Sequence, residues 1–220
     1  MRSSKPWLLT AVIICLIVGC TSKPKEIAIT TTSEEARQLF IKGRELAENG
    51  GREEAIDLYQ KALEIDADFA LANLEMYNQG VEDYRSYLDR ALQNADKVSE
   101  GEKLLILGSQ ASSDGDIGKW EENVRKLAAL YPDDKRAHLQ MGVFYSAQQN
   151  YPAAIEEYNK AIQLDPAYGL PYNILGYSHR NLGQYAEAET ALRTYLDRIP
   201  DDPNTLDSYA EILMKQGKFE

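Results

Sequence analysis

Apolar residues come first as one unbroken run and then, for the rest of the chain, at helical spacing. The run extends from Trp7 to Val18 with Thr10 as its one polar member. At twelve residues it falls short of the roughly 20 needed to cross a hydrocarbon core. Residues 21–34, TSKPKEIAITTTSE, are polar and threonine-rich without a helical period, and they read as a flexible tether continuing to about residue 35. From residue 36 to the end, apolar positions recur at three- and four-residue intervals, predicting successive helices.

Those helices repeat. Four stretches, 36–69, 101–134, 135–168 and 169–202, align without gaps on a period of 34 residues. Each carries a glycine in its first helix, Gly43, Gly108, Gly142 or Gly176, always twelve residues before Ala55, Trp120, Ala154 or Ala188 of the second. A small residue facing a small residue lets two antiparallel helices approach closely. Four positions further on stand Tyr59, Val124, Tyr158 and Leu192. The loop that follows holds Pro132, Pro166 and Pro200, with Ala67 in the first repeat. Proline there removes a backbone donor and stops the second helix.

This register resembles the tetratricopeptide repeat. The resemblance implies an all-α, right-handed superhelical solenoid of antiparallel helix pairs, in which each pair buries its apolar stripe against its neighbours and first helices line the concave face. Trp120 and Leu127 stand where alanines are usual, so repeat 101–134 is expected to splay or pack differently. Residues 70–100 are 31 long and keep only helical periodicity, which reads as a degenerate helical pair. Residues 203–220 supply a first helix with Leu206, Tyr209, Ala210 and Leu213 at repeat positions and then stop at the turn. That partial repeat reads as the truncated start of another, within a longer protein.

The front of the chain carries a different kind of information. Arg2 and Lys5 precede the apolar run, and Gly19 leads into Cys20, the order of a secretory signal spanning residues 1–19. Within it, Ile17-Val18-Gly19-Cys20 resembles the bacterial lipobox. That resemblance implies cleavage before Cys20 and diacylglycerol on its thiol, with two or three acyl chains giving firm anchoring where one alone is marginal. Cys15 would leave with the signal, so no thiol remains for disulfides, redox pairs or thiolate metal sites. Lys23 and Lys25 beside the anchor would add about 1 kcal/mol each at an anionic surface. Thr21, rather than aspartate, after the cysteine favours the periplasmic face of an outer membrane.

Charge narrows the partners. The net charge of −11 becomes −13 once residues 1–19 are removed. An acidic body repels nucleic acid and phospholipid, leaving proteins, peptides or cations.

In the resembling family, concave-face positions are the second, fifth, ninth, twelfth and thirteenth of each repeat. Carried over, they give Arg136, Leu139 and Val143, then Asn173, Tyr177, Arg180 and Asn181, and earlier Arg37, Phe40 and Arg44. The group from 136 to 181 mixes apolar walls, an aromatic ring, amides and guanidiniums, as a groove for a peptide or partner helix needs. The alternative use of these positions is packing between helices, with the arginines paired to nearby acids. The lysine and asparagine of the family's carboxylate clamp are absent from the fifth and ninth positions, so chaperone C-termini are not expected as ligands.

Catalytic chemistry has little support. His138 and His179 fall where bulky packing residues normally sit. No H-E-x-x-H, G-x-S-x-G or phosphate-cradling glycine loop is present. SQASSDGD, residues 109–116, lacks the ligand order of a calcium loop and reads as an interhelix turn with capping residues. The pairs Glu53-Glu54, Glu156-Glu157 and Asp201-Asp202 read as solvated surface. No cofactor or metal is expected. The expectation is a lipid-anchored adaptor or scaffold of a bacterial cell envelope; the alternative is the docking or sensory region of a longer enzyme or signalling protein.

Overall fold

The computed structural model describes residues 26–200 and 202–218. The signal segment, Cys20 and the first part of the tether lie outside the described residues.

Eleven α-helices form the described chain, paired in sequence order: α1 (Glu34–Glu48) with α2 (Arg52–Ile65), α3 (Ala70–Asn78) with α4 (Tyr84–Asn94), α5 (Glu100–Ser113) with α6 (Ile117–Leu130), α7 (Lys135–Ala147) with α8 (Tyr151–Leu164), and α9 (Leu170–Asn181) with α10 (Tyr185–Leu196), then α11 (Pro203–Lys215). The fold is an all-helical solenoid, and the degenerate stretch contributes the pair α3 and α4 with a 3₁₀ turn at Ala95–Lys97. Caps set the helix starts. Ser99 accepts from the Glu102 N–H while Glu102 reaches back to the Ser99 N–H, a reciprocal capping box. Asp116, Asp134, Asn150 and Asp202 cap α6, α7, α8 and α11.

The repeat glycines make room for something other than the facing alanine. A β-carbon on Gly142 would lie 2.3 Å from the Tyr158 ring, one on Gly176 would lie 2.3 Å from Leu192, and one on Gly43 would lie 2.9 Å from Tyr59. The bulky side chain four residues past the alanine is therefore what each glycine admits. Repeat 101–134 departs, as its Trp120 foretells: the nearest atom to a β-carbon on Gly108 is Asn123 Cβ at 3.8 Å. Trp120 turns instead onto Phe144 of the next repeat, ring edge to face with centroids 5.2 Å apart.

The segment expected to be a tether is tied down from Ile27 onward. The Ile27 N–H donates to Asp134 (2.8 Å), the Thr30 N–H to Glu102 (2.7 Å) and the Thr32 N–H to Asp66 (2.9 Å). The Thr30 and Thr31 hydroxyls donate to Glu102 and Asp66, each at 2.6 Å. Ile27 is buried with Leu104, Leu127, Tyr131 and Ala137. A polar sequence here conceals a strap, because its order comes from three carboxylates on two separate repeats, Asp66 on the first and Glu102 and Asp134 on the third.

A second long-range tie joins the first repeat to the fourth and fifth. Glu48, at the end of α1, binds Lys135 (2.6 Å) and Arg136 (3.2 Å) at the start of α7. Its neighbour Gly50 lies against Ile199, and the Glu48 carbonyl lies against Gly169. At the other end, α11 packs on α10 through Ile212, with Ala188 and Leu192. Of the positions the repeat pattern assigned to that helix, Tyr209 packs against this cluster and Leu213 is half-buried, whereas Leu206 and Ala210 are exposed; Thr205 and Ile212, outside the pattern, are buried.

Candidate functional site: a cavity on the inner helices

The inner helices surround a cavity of about 810 Å³, lined from α1 by Arg44 and Glu48, from α3 by Leu74 and Glu75, from α5 by Leu105 and from α7 by Arg136, Leu139 and Val143. Trp120 and Tyr168 also reach it. Solenoid packing produces this arrangement: each first helix buries one stripe against its own second helix and neighbouring pairs, leaving the inward stripe facing the hollow.

Charge in the cavity is unevenly satisfied. Glu48, 11% exposed, is shared by Lys135 and Arg136 through short contacts, whereas the Arg44 Nε stands 3.9 Å away. That separation is beyond a hydrogen bond. Lys135 also pairs with Asp165 at 2.8 Å and lies 4.2 Å from the centre of the Tyr168 ring. Burial lowers the Arg44 guanidinium pKa, and the nearby Arg136 charge adds to that shift. Burial opposes the charge of Arg136 too, but Glu48 and Asp134 outweigh it and hold its pKa raised. Glu75 is lifted above the ordinary carboxyl range by desolvation, with its one side-chain hydrogen bond a long 3.4 Å contact from Asn78. Burial also raises the Tyr59 phenol, so it stays protonated, and its hydroxyl has no hydrogen-bond partner.

Part of the sequence-predicted groove lines this cavity. Arg136, Leu139 and Val143 line the cavity with Arg44. Asn173, Tyr177 and Arg180 are not among its lining residues: Asn173 accepts from the Thr205 hydroxyl of α11 (3.2 Å), and Arg180 pairs with Glu211 of α11 (3.2 Å) while stacking over Tyr177. Asn181 is exposed at the end of α9. Phe40 is buried in the core, and Arg37 is held by Glu34 and the Ile29 carbonyl. His138 is engaged through both ring nitrogens, with Glu157 (2.7 Å) and the Pro132 carbonyl (2.9 Å), and His179 contacts Gln184 (2.6 Å). Burial works against ionisation of Glu157, but hydrogen bonds from His138 and Lys160 prevail and lower its pKa. Among the described residues no cluster of candidate ligands could hold a metal ion, and no helix is long and apolar enough to cross a membrane.

Sequence reasoning passed over Glu48 and Glu75. Glu48 was within reach, since it occupies the thirteenth position of the repeat that places Arg44 at the ninth. Glu75 falls in the stretch without a gapless register, so nothing in the pattern pointed it inward.

Comparison with known proteins agrees with this architecture. A family model described as TPR repeat matches residues 144–183, and one described as tetratricopeptide repeat matches 36–69 and 171–202. These stretches are similar to tetratricopeptide repeats. Similar solved structures include the APC/C hetero-tetramer Cut9-Hcn1, with 19% identity, a TM-score of 0.58 and coverage of 84% of this chain and 40% of that one. TTC0263, a thermophilic TPR protein of Thermus thermophilus, aligns at 18% identity and a TM-score of 0.55 over 81% of this chain and 99% of that one. The first TPR of Spaghetti (RPAP3), bound to an HSP90 peptide, aligns at 18% identity and a TM-score of 0.50 over 53% of this chain and 95% of that one. The chain thus spans two-fifths of the Cut9-Hcn1 chain, and at these identities the likeness is one of fold. No curated protein matches in sequence.

Proposed function

We propose that this protein is a membrane-anchored adaptor of a bacterial cell envelope that holds a protein or peptide partner on the concave side of its repeats. One observation carries the binding half: the inner helices surround a cavity with apolar walls and incompletely satisfied charged groups. Catalysis finds no comparable support, because both histidines are engaged in local contacts. The anchoring half rests on Ile17-Val18-Gly19-Cys20 behind a basic and apolar leader, and Thr21 favours the outer membrane.

Both halves can be tested in cells. A photo-crosslinking residue at position 143, on the cavity wall, should trap a partner that the same residue at exposed Lys61 does not; equal yields from both positions would remove the cavity from the binding surface. Cys20→Ser should move the protein from the membrane to the soluble fraction and abolish palmitate labelling. Retention with labelling would overturn the anchor.

A further inference from the structure

We propose that the central cavity binds a short free peptide, two or three residues long, with an ionised carboxylate at one end and an ammonium at the other. This rests on reading the concave side as a binding surface and narrows what occupies it.

Arg44 provides the first half of the argument. Its side chain is 15% exposed, yet among the described residues its guanidinium makes no hydrogen bond, and its nearest carboxylate, Glu48, is occupied by Lys135 and Arg136. The guanidinium stacks 5.5 Å from the centre of the Phe40 ring, but its five donors have no hydrogen-bond acceptor, and a carboxylate is the group that matches that planar fork in two-point geometry.

Glu75 provides the second half. It lines the same cavity, it is held by one long hydrogen bond, and no ion pair joins it to Arg44. An unmet cation and an unmet anion that leave each other unpaired in one partly dry space fit a dipolar guest better than a singly charged one. A lone anion would meet the fields of Glu48 and Glu75, and a lone cation those of Arg44 and Arg136. A peptide with both termini free presents one charge to each side, so that each ionised terminus meets a group of opposite sign that offsets its desolvation.

Size and walls limit the guest further. The volume of about 810 Å³ lies within the range of roughly 300–1,000 Å³ typical of small-molecule sites. Contacts of the α1 end with α7, Gly169 and Ile199 bound the hollow on one side. Leu74, Leu105, Leu139 and Trp120 supply apolar surface for one or two side chains.

The experiment is calorimetric titration of the full chain with the unblocked dipeptides Ala-Leu, Ala-Phe and Leu-Ala, beside their N-acetylated and C-amidated forms. At least one unblocked dipeptide should bind, and either block should weaken it at least tenfold. Arg44→Gln should remove the penalty for amidation and Glu75→Gln the penalty for acetylation. The blocked ligands leave the protein unaltered, so the outcome survives any variant that fails to fold. Absence of binding up to millimolar dipeptide, equal binding of blocked forms, or unchanged binding to a folded Arg44→Gln protein would each overturn the site. Crosslinked partner capture at position 143 alongside failed dipeptide binding would sink this inference and leave the adaptor standing.

Discussion

Adding one methyl group at two equivalent glycines should shift stability in opposite directions. Gly142→Ala places a β-carbon 2.3 and 2.5 Å from two atoms of the Tyr158 ring, where carbon atoms prefer about 3.5–4.0 Å. The ring has little freedom to yield: it is 1% exposed, and its hydroxyl is fixed to Ser146 at 2.9 Å. Forcing it aside is overpacking, costing about 1–3 kcal/mol, while replacing a mid-helix glycine returns about 0.5–1 kcal/mol. The net expectation is a loss of about 1–2 kcal/mol. At Gly108 the nearest atom stands at 3.8 Å, an ordinary contact, so only the propensity gain of about 0.5–1 kcal/mol remains. Urea unfolding followed by circular dichroism at 222 nm reads both variants, with slopes compared because repeat arrays can unfold piecewise. The packing account of the glycine register is refuted if Gly142→Ala is neutral or stabilising, or if Gly108→Ala destabilises as much.

Other expectations concern the two long-range ties. Asp66→Asn should free the strap, costing about 1–3 kcal/mol for its lost acceptors and speeding exchange of the Thr32 amide while the Ile27 amide, bound to Asp134, changes less; equal acceleration of both would mean the strap detaches as one unit. Burial works to raise the Asp66 pKa, but hydrogen bonds from Thr31 and Thr32 prevail and lower it. Its contribution should therefore be complete above the ordinary carboxyl value of about 3.9 and disappear as pH falls through the lower folded value, which amide exchange across an acid titration would follow. Glu48→Gln removes the shared anion from half-buried Lys135 and Arg136 and should cost about 3 kcal/mol; a change below about 0.5 kcal/mol, the scale of an ordinary surface site, would show that the staple is dispensable.

Much of the helical body was legible because its signals are local and repeated. The 34-residue register marks four helix pairs, and the loop prolines fall just past the ends of α6, α8 and α10. The irregular packing at Trp120 was visible as a departure from that register, though its partner Phe144 was not. The glycine and alanine spacing was noticed correctly and explained incompletely, since sequence distance does not show that Tyr158 lies over Gly142. For the candidate site, Arg136, Leu139 and Val143 line the cavity, whereas Asn173 and Arg180, grouped with them by repeat position, contact α11, and Arg44, outside that group, joins the cavity from α1.

By itself the sequence determined which segments are helical and how they pair in the gapless repeats, because periodicity and capping act over a few residues. Only the tertiary structure decided that Glu48 reaches α7, that a threonine-rich segment becomes a strap and that Arg44 and Glu75 share one cavity without pairing. Those contacts join residues up to 107 positions apart. They depend on small angles between successive helix pairs, which accumulate along the solenoid and leave no mark at any single position.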